Sequence, residues 1–248
     1  MSDKAILRIS GLTKEYGALR AVDHVSFSVS PGEIVGLLGP NGAGKTTTIN
    51  MILGILDATE GSIEVLEKKL ENHRSEISKR VNFAAVYAHL PANLTVWQNL
   101  YVFALLYEIT PIRQRIDHLL QEFDLKGLAR TKAGLLSSGE LSRLNLAKAV
   151  MTEPRLLLLD EPTASLDPSI SQLVREHIKG YAKRTKAGIL WTSHDMGEIE
   201  AVCDRVLFMS HGKILLTGDP STLPAEHGKK DLEELFITVA REPVSLKE

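Results

Sequence analysis

The chain has 248 residues, which is enough for one large α/β domain or two small ones with a substantial buried core. Charged residues make up 24% of it and the formal net charge is only -2, so there is no overall positive field to hold nucleic acid or anionic lipid. The single cysteine, Cys203, excludes an internal disulfide and a cysteine-based zinc cluster, and we expect it to be buried in the core.

The sequence predicts neither secretion of the chain nor its insertion into a membrane. Asp3 and Lys4 place charges where a secretory signal needs an apolar run. The longest apolar stretches, such as residues 101–107, fall far short of the ~20 residues that a membrane-spanning helix needs. We therefore expect a cytoplasmic protein that reaches a membrane only through another chain.

The first predicted elements are half-buried strands. Apolar residues alternate or nearly alternate with polar ones at positions 6–9 and again at 25–29, before a Pro31-Gly32 turn. This pattern is typical of antiparallel strands with one face in water. The sequence therefore predicts an antiparallel β part near the amino terminus.

Four later segments are short and almost continuously apolar: residues 34–38, 156–159, 189–192 and 206–209. Runs of this length suit strands that are buried on both faces, as in a parallel sheet covered by helices. After the last run, His211-Gly212 separates two apolar stretches and predicts a tight hairpin.

Between residue 91 and about residue 148 the strand signal fades and apolar residues recur at helical spacing. Residues 232–239 repeat this spacing and predict a closing helix. The predicted fold is therefore α/β, with a mostly parallel sheet flanked by helices, an antiparallel β part and a helical insert.

A phosphate-binding pattern follows the first buried strand. Residues 39–46, GPNGAGKT, match G-x-x-x-x-G-K-[ST] directly after the strand at 34–38. Backbone N–H groups can wrap a phosphate where residues accept unusual dihedrals and carry no Cβ. The glycines that allow this are Gly39, Gly42 and Gly44. We predict a nucleotide-binding loop, the alternative being an ordinary glycine turn.

The residues from Thr46 to Leu53 are predicted to form a helix that ends at Gly54 and directs its positive end toward the phosphates. Lys45 would reach the β- and γ-phosphates, and the Thr46 hydroxyl would ligate Mg²⁺. The cofactors predicted by this loop are therefore ATP and Mg²⁺. The other predicted members of the cradle are Asn41 and Thr47.

Two adjacent carboxylates, Asp160 and Glu161, follow the buried strand at 156–159. This is the edge at which open α/β sheets bind ligands. Because successive strand side chains point in opposite directions, we expect different roles for the two. Asp160 is predicted to hold Mg²⁺ through its water shell, and Glu161 is the candidate base for the attacking water. In isolation the pair could also be a surface turn.

Residues 136–140, LSSGE, lie shortly before the acidic strand. They resemble the signature sequence, usually LSGGQ, of the ATP-binding cassette family, and the likeness covers nearly the entire chain. It implies a P-loop NTPase core formed by residues 1–90 and 149–248, and a helical subdomain with the signature at about 91–148. Without an internal repeat or low-complexity linker, the sequence predicts a single cassette.

The resemblance assigns roles to three further residues. Tyr16 matches the aromatic position on which the family stacks adenine, although a half-buried tyrosine at a strand end fits the same pattern. Asp167, in Ser165-Leu166-Asp167, matches the family's D-loop. His194 matches the switch histidine that contacts the γ-phosphate, and joins Lys45 and Glu161 as a predicted catalytic residue.

The family's mechanism implies two partners. Two cassettes pack head to tail, so that Ser137 and Gly139 of one chain cover the ATP held by the other, and the second cassette is an identical chain or a paralogue. ATP then joins the two subunits, and hydrolysis separates them. Their movement drives an integral membrane permease, which implies a peripheral location on the inner face of the membrane.

The sequence departs from the family pattern at two places. The position of the Q-loop glutamine is occupied by Val86, which cannot ligate Mg²⁺ or orient water. In the signature, Ser138 and Glu140 replace the usual residues, while Ser137 and Gly139 are retained.

Three functions remain open on sequence alone. The first is a transporter ATPase that powers a separate permease. The second is a cassette acting in DNA repair, chromosome organisation or translation, but such relatives commonly carry coiled-coil insertions or two cassettes, and no nucleic-acid partner is expected here. The third is a nucleotide sensor with little turnover, which Val86 keeps open. The cargo and the direction of transport cannot be predicted.

Overall fold

The computed structural model contains two β-sheets, one antiparallel and one mostly parallel. The antiparallel sheet contains the segments with alternating apolar residues near the amino terminus, and the mostly parallel sheet contains the continuous apolar runs. The structure describes residues 5–85, 90–164 and 166–241, so that Val86 and Ser165 lie outside the described residues. The strands are β1 (Leu7–Tyr16), β2 (Leu19–Val29), β3 (Ile34–Leu38), β4 (Glu60–Val65), β5 (Lys68–Lys69), β6 (Val81–Ala85), β7 (Leu156–Asp160), β8 (Gly188–Ser193), β9 (Arg205–Ser210) and β10 (Lys213–Gly218). The helices are α1 (Lys45–Ile52), α2 (Leu70–Ser78), α3 (Val96–Leu106), α4 (Ile112–Glu122), α5 (Ser138–Ala149), α6 (Pro168–Thr185), α7 (Met196–Val202), α8 (Leu223–Glu226) and α9 (Leu232–Arg241).

The amino-terminal sheet has the strand order β2-β1-β4-β5, with antiparallel pairing throughout. Leu7 pairs with Val29 and Ile9 with Phe27, and all four side chains are buried. Their polar neighbours on the strands point away from this apolar face. The predicted antiparallel part is thus confirmed.

The central sheet has the order β10-β9-β3-β8-β7-β6. Its strands pair in parallel from β9 to β6, and only the β9–β10 hairpin is antiparallel. Strands β3 and β8 are buried along their whole length, as the continuous apolar runs predicted. The mostly parallel sheet and the hairpin at His211-Gly212 are confirmed.

Each buried strand contributes to two hydrophobic cores. Leu158 and Leu190 face the core shared with the amino-terminal sheet and α1, whereas Leu157, Leu159 and Trp191 face the core beneath the helices from α3 to α7. Because strand side chains alternate in direction, a continuous apolar run supplies both cores. Cys203 is also buried, as predicted, and burial raises the pKa of its thiol.

The helical segment, residues 96–149, packs on the second of these cores. Helix α3 begins with a capping box, in which the Thr95 side chain accepts from Gln98 N at 3.1 Å and the Gln98 side chain accepts from Thr95 N at 2.9 Å. Arg115 of α4 donates to the carbonyls of Val150 and Met151 at the end of α5. Within residues 5–85, 90–164 and 166–241, no helix combines the length and apolar character needed to cross a membrane.

An ionic cluster joins the amino-terminal sheet to the β9–β10 hairpin. The Asp23 backbone N–H donates to the Gly212 carbonyl at 2.8 Å, and the Asp23 carboxylate lies 2.7 Å from His24 Nδ1, 3.2 Å from Lys213 Nζ and 2.9 Å from the Arg20 guanidinium. These three basic groups, His24 foremost, hold the pKa of Asp23 far below its usual range.

This cluster predicts a loss of stability in acid. Because the folded state lowers the pKa of Asp23, its contribution is complete above the ordinary carboxyl pKa and disappears as the pH falls below about 4. The free energy of unfolding of Asp23→Asn, measured in urea, should lie below the wild-type value at neutral pH and approach it in acid. The exposed Asp117→Asn is the control. If the free energies of unfolding of Asp23→Asn and the wild type differed by the same amount at every pH, the prediction would be contradicted.

Candidate functional site

The loop after β3 folds tightly against two neighbouring backbones. Gly44 has φ 107°, and a Cβ there would lie 2.5 Å from the Ala21 carbonyl oxygen. A Cβ at Gly39 would lie 2.2 Å from the carbonyl oxygen of Met209. No side chain fits at either position, so the two glycines of the pattern are needed for the path of this loop.

The same loop encloses a buried ammonium group. Lys45 is 6% exposed, and its Nζ donates to the carbonyls of Gly39 at 2.6 Å and Pro40 at 3.3 Å. Helix α1 begins at this lysine, one residue earlier than predicted, and its first turn contains no acidic residue. The positive end of the helix dipole and the ammonium group therefore favour an anion at the same place.

The Asp160 carboxylate is held by two hydroxyl groups. Thr46 Oγ1 lies 3.2 Å from Asp160 Oδ2, and Thr192 Oγ1 donates to Asp160 Oδ1 at 2.6 Å. Hydroxyl and carboxylate oxygens are the ligand types that Mg²⁺ prefers. Across the described parts of the chain, no three His, Cys, Asp or Glu side chains form a group that could hold a metal ion. These two oxygen donors suit an ion that keeps waters and phosphates in its shell.

Glu161 has an unusual backbone that directs its carboxylate into the site. Its φ is 53°, in the left-handed region, and its N–H contacts both the carbonyl oxygen of Thr192 at 3.2 Å and the hydroxyl at 3.1 Å. The carboxylate accepts from His194 Nδ1 at 2.5 Å and lies 3.7 Å from Lys45 Nζ. Asp160 and Glu161 therefore make different contacts, because Glu161 follows the end of β7 and leaves the strand conformation, so that strand alternation does not apply to it.

These groups line one open cavity of about 810 Å³ at the carboxyl ends of β3, β7 and β8. The predicted site residues that line it are Asn41, Gly42, Gly44, Lys45, Thr46, Thr47, Asp160, Glu161 and His194. Gly39 adjoins it through its contact with Lys45. The fold thus brings together side chains that the sequence separates by more than a hundred positions.

Besides Gly39, four predicted site residues within the described part of the chain do not line this cavity. Tyr16 is 51% exposed and has Lys14 Nζ 5.3 Å from its ring centroid. Asp167 caps α6 by accepting from Ser169 N and Ile170 N, each at 3.1 Å. The other two are Ser137 and Gly139 of the signature.

Helix α5 begins within the signature segment, at Ser138. Ser137 is its exposed N-cap, and Glu140 completes a capping box by accepting from Ser137 N at 2.8 Å. Glu140, a departure from the usual signature, thus has a local structural role. Gly139 is buried against α6, where an added Cβ would lie 3.0 Å from the Ile170 side chain.

Sequence reasoning missed Thr192. It appeared only as the end of an apolar strand, but its hydroxyl and carbonyl contact both carboxylate-bearing residues, Asp160 and Glu161. The signal that could have identified it is a buried hydroxyl at the carboxyl end of a strand that neighbours the acidic strand.

Comparison with known proteins identifies relatives over nearly the whole chain. Residues 22–164 match the family model described as ABC transporter. The Nod factor export ATP-binding protein I of Rhizobium sp. (strain N33) is 36% identical over 98% of this chain and 80% of its own length. The bacitracin transport ATP-binding protein BcrA of Bacillus licheniformis is 37% identical over 91% of this chain and 72% of its own.

Solved structures agree with these relatives. An ATP-binding subunit of an ABC transporter superposes with a TM-score of 0.84 at 27% identity, covering 95% of this chain and 100% of the other. The cbiO1 protein of Clostridium perfringens, part of the ABC transporter complex cbiONQ, gives 0.82 at 27% identity over 90% of this chain and 92% of its own. Together with the phosphate loop and paired carboxylates, these similarities establish that the chain belongs to the ABC transporter family, as an ATP-binding subunit.

Proposed function

We propose that this transporter ATPase binds Mg-ATP in the cavity beside β3, β7 and β8 and hydrolyses it with Glu161 as the general base. The observation that carries the proposal is the position of the Glu161 carboxylate, between His194 Nδ1 at 2.5 Å and Lys45 Nζ at 3.7 Å. A carboxylate held at the edge of a phosphate site can accept the proton of an attacking water.

The loop and α1 would bind the phosphates. Backbone N–H groups of residues 39–46 surround the anion, and the Lys45 ammonium exchanges carbonyl contacts for the β- and γ-phosphates. Its burial strengthens this attraction, because the surrounding dielectric is low. Tyr16, exposed outside the cavity, would stack on the adenine ring.

Thr46 and Asp160 are the residues that would hold Mg²⁺. Their oxygens lie 3.2 Å apart, and the Thr192 hydroxyl fixes the second oxygen of the carboxylate. The ion would neutralise charge on the phosphates. Thr192 also accepts from the Glu161 N–H, so one threonine orients both the metal ligand and the base.

His194 would orient Glu161 and contact the γ-phosphate. Its side chain is exposed and lines the cavity, while its Nδ1 contacts the Glu161 carboxylate. The rest of the imidazole ring therefore faces the open cavity. Protonation of one ring nitrogen fixes the role of the other, which allows one histidine to bridge a base and a phosphate.

A second cassette would complete the site. Ser137 is exposed at the start of α5 and lies outside the cavity of its own chain, whose lining includes Leu166 and Pro168 on either side of Asp167. A head-to-tail neighbour would bring its Ser137 and Gly139 over the bound ATP, with Asp167 at the interface. The positive end of its α5 would then face the γ-phosphate.

The helical segment would dock on a membrane permease. Helix α3 exposes an apolar surface, formed by Tyr101, Val102, Leu105 and Leu106. Apolar patches of this kind commonly mark protein interfaces. We accordingly assign residues 91–148 to a helical subdomain and the remainder to the catalytic core, with the protein at the inner face of the membrane.

The relatives favour transport over the alternatives. The relatives reported above are named for Nod factor export and bacitracin transport, and none of these names refers to DNA or ribosomes. We infer that this chain also powers an exporter. The non-transport alternative is not favoured.

Replacing Glu161 with Gln tests the base. The amide keeps the shape of the side chain but cannot take a proton, so ATP hydrolysis should fall by roughly 100-fold or more while ATP binding is retained. Phosphate release and equilibrium ATP binding would be measured on the same preparation, with the exposed Glu71→Gln as the control. Undiminished hydrolysis would remove Glu161 from this role.

Replacing Thr192 with Val tests the orienting hydroxyl. The change conserves shape but removes hydrogen bonds worth about 1.5–3 kcal/mol when one partner is charged, so turnover should fall roughly tenfold to a hundredfold. The exposed strand variant Thr217→Val should retain full turnover. A Thr192→Val enzyme with wild-type kcat would refute the orienting role.

Charges on α3 test the permease surface. Leu106 is 69% exposed and Leu105 is 51% exposed, so Leu105→Glu and Leu106→Glu should retain ATP binding but lose co-purification with a polytopic membrane protein. Ile55, which is 75% exposed outside the helical segment, supplies the control Ile55→Glu. Equal recovery of the membrane protein with all three variants would argue against docking through α3. Recovery of ribosomes or DNA in place of a membrane protein would support the non-transport alternative.

A further inference from the structure

A buried carboxyl group beside the loop that carries His194 lines the same cavity. Glu198, on α7, is 7% exposed and belongs to none of the motifs described above. Burial raises the pKa of this carboxyl, and so does the nearby charge of Asp195, whereas Ser193, Trp191 and Arg175 lower it. Arg175 faces it from the neighbouring helix α6.

Three hydrogen bonds connect Glu198 with the residues on either side of His194. The Asp195 N–H donates to Ser193 Oγ at 3.0 Å, Ser193 Oγ lies 2.5 Å from Glu198 Oε2, and the Glu198 N–H donates to Asp195 Oδ1 at 3.1 Å. Because Ser193 Oγ accepts from Asp195, its own hydrogen is available for Glu198, which is therefore the acceptor. These bonds join Ser193, Asp195 and Glu198 into a closed network that holds the backbone on both sides of His194.

This hydrogen-bonded network is attached to the phosphate loop through Ser193. The Gly39 N–H contacts the Ser193 carbonyl at 3.4 Å, and His194 Nδ1 lies 2.5 Å from Glu161 Oε2. A shift of Ser193 would therefore change the distance between the His194 ring and both the phosphate loop and the base.

Packing alone does not account for a carboxyl group at this position. Glu198 Oε1 and Trp191 Nε1 are both buried, and among the residues that the structure describes neither makes a hydrogen bond of normal geometry, although the Trp191 N–H is close enough to lower the pKa of the carboxyl. Unpaired buried polar atoms cost stability, and an apolar side chain would fill the same space without that cost. The side-chain hydrogen bond of Glu198 that has normal geometry is the contact of its Oε2 with Ser193 Oγ at 2.5 Å.

We propose that Glu198 is a positioning residue that holds His194 against Glu161 by accepting the hydrogen bond of Ser193. The inference rests on the proposed role of His194 in ATP hydrolysis. Glu198 lies outside the reaction itself and acts through the loop. Since an amide oxygen also accepts a hydrogen bond, glutamine should replace glutamate in this role.

The test compares kcat and ATP affinity in variants of the full-length chain. Glu198→Ala should lower kcat roughly tenfold or more, because a small displacement of a catalytic group is costly, and should leave the Kd for ATP within about twofold. Glu198→Gln should restore kcat. Ile199→Val, a change in the buried neighbour on α7, controls for altered packing and should retain the wild-type kcat.

A double variant separates positioning from a general loss of structure. If Glu198 acts through His194, then His194→Ala with Glu198→Ala should be no slower than His194→Ala alone. Should Glu198→Ala fail to fold, Ser193→Ala removes the same hydrogen bond and is expected to give the same loss and the same lack of additivity.

Two results would overturn the inference: a wild-type kcat in Glu198→Ala or in Ser193→Ala, or a further loss of equal size when either is added to His194→Ala. If His194→Ala itself hydrolyses ATP at the wild-type rate, the proposed role of His194 fails, and the inference fails with it. A slow His194→Ala beside an unaffected Glu198→Ala refutes the positioning role alone.

Discussion

The parallel register of three neighbouring strands in the central sheet is the constraint on which the nucleotide site depends. Leu38 of β3 pairs with Ser193 of β8, and Thr192 of β8 pairs with Asp160 of β7. The phosphate loop, His194 and the two carboxylates therefore leave the sheet at one level. Because these strands are buried on both faces, a slip of one residue would exchange their side chains between the cores. The apolar packing that stabilises the fold thereby also sets the distances within the site.

Most of the site could be predicted because its residues belong to strong local patterns. Lys45 lies in a glycine loop, and Asp160 directly follows a continuous apolar run, so neighbouring residues identify them. Thr192 and Glu198 could not be identified in this way. Thr192 is 32 positions from the carboxylate that it orients, and the role inferred for Glu198 depends on a loop conformation that the sequence pattern does not contain. Sheet order, similarly, follows from packing between distant segments.

Backbone strain at Glu161 illustrates how the stable parts of the fold support the functional part. A left-handed conformation is unfavourable for a residue with a side chain and costs about 1–3 kcal/mol. Two contacts from Thr192 to the Glu161 N–H help to offset this cost, and β8 that provides them is wholly buried. The rigid strand holds the carboxylate in a direction that an unconstrained chain would seldom adopt.

The absence of a side chain at Gly139 has a mechanical consequence for the signature. A Cβ there would lie 3.0 Å from the Ile170 side chain, so the glycine allows the first turns of α5 and α6 to approach each other. Ser137 caps one of these helices and Asp167 caps the other, so the two caps belong to helices that meet at Gly139. In the proposed pair of cassettes, contact between Ser137 and the neighbour's ATP would therefore reach α6 through the packing of Ile170 beside Gly139.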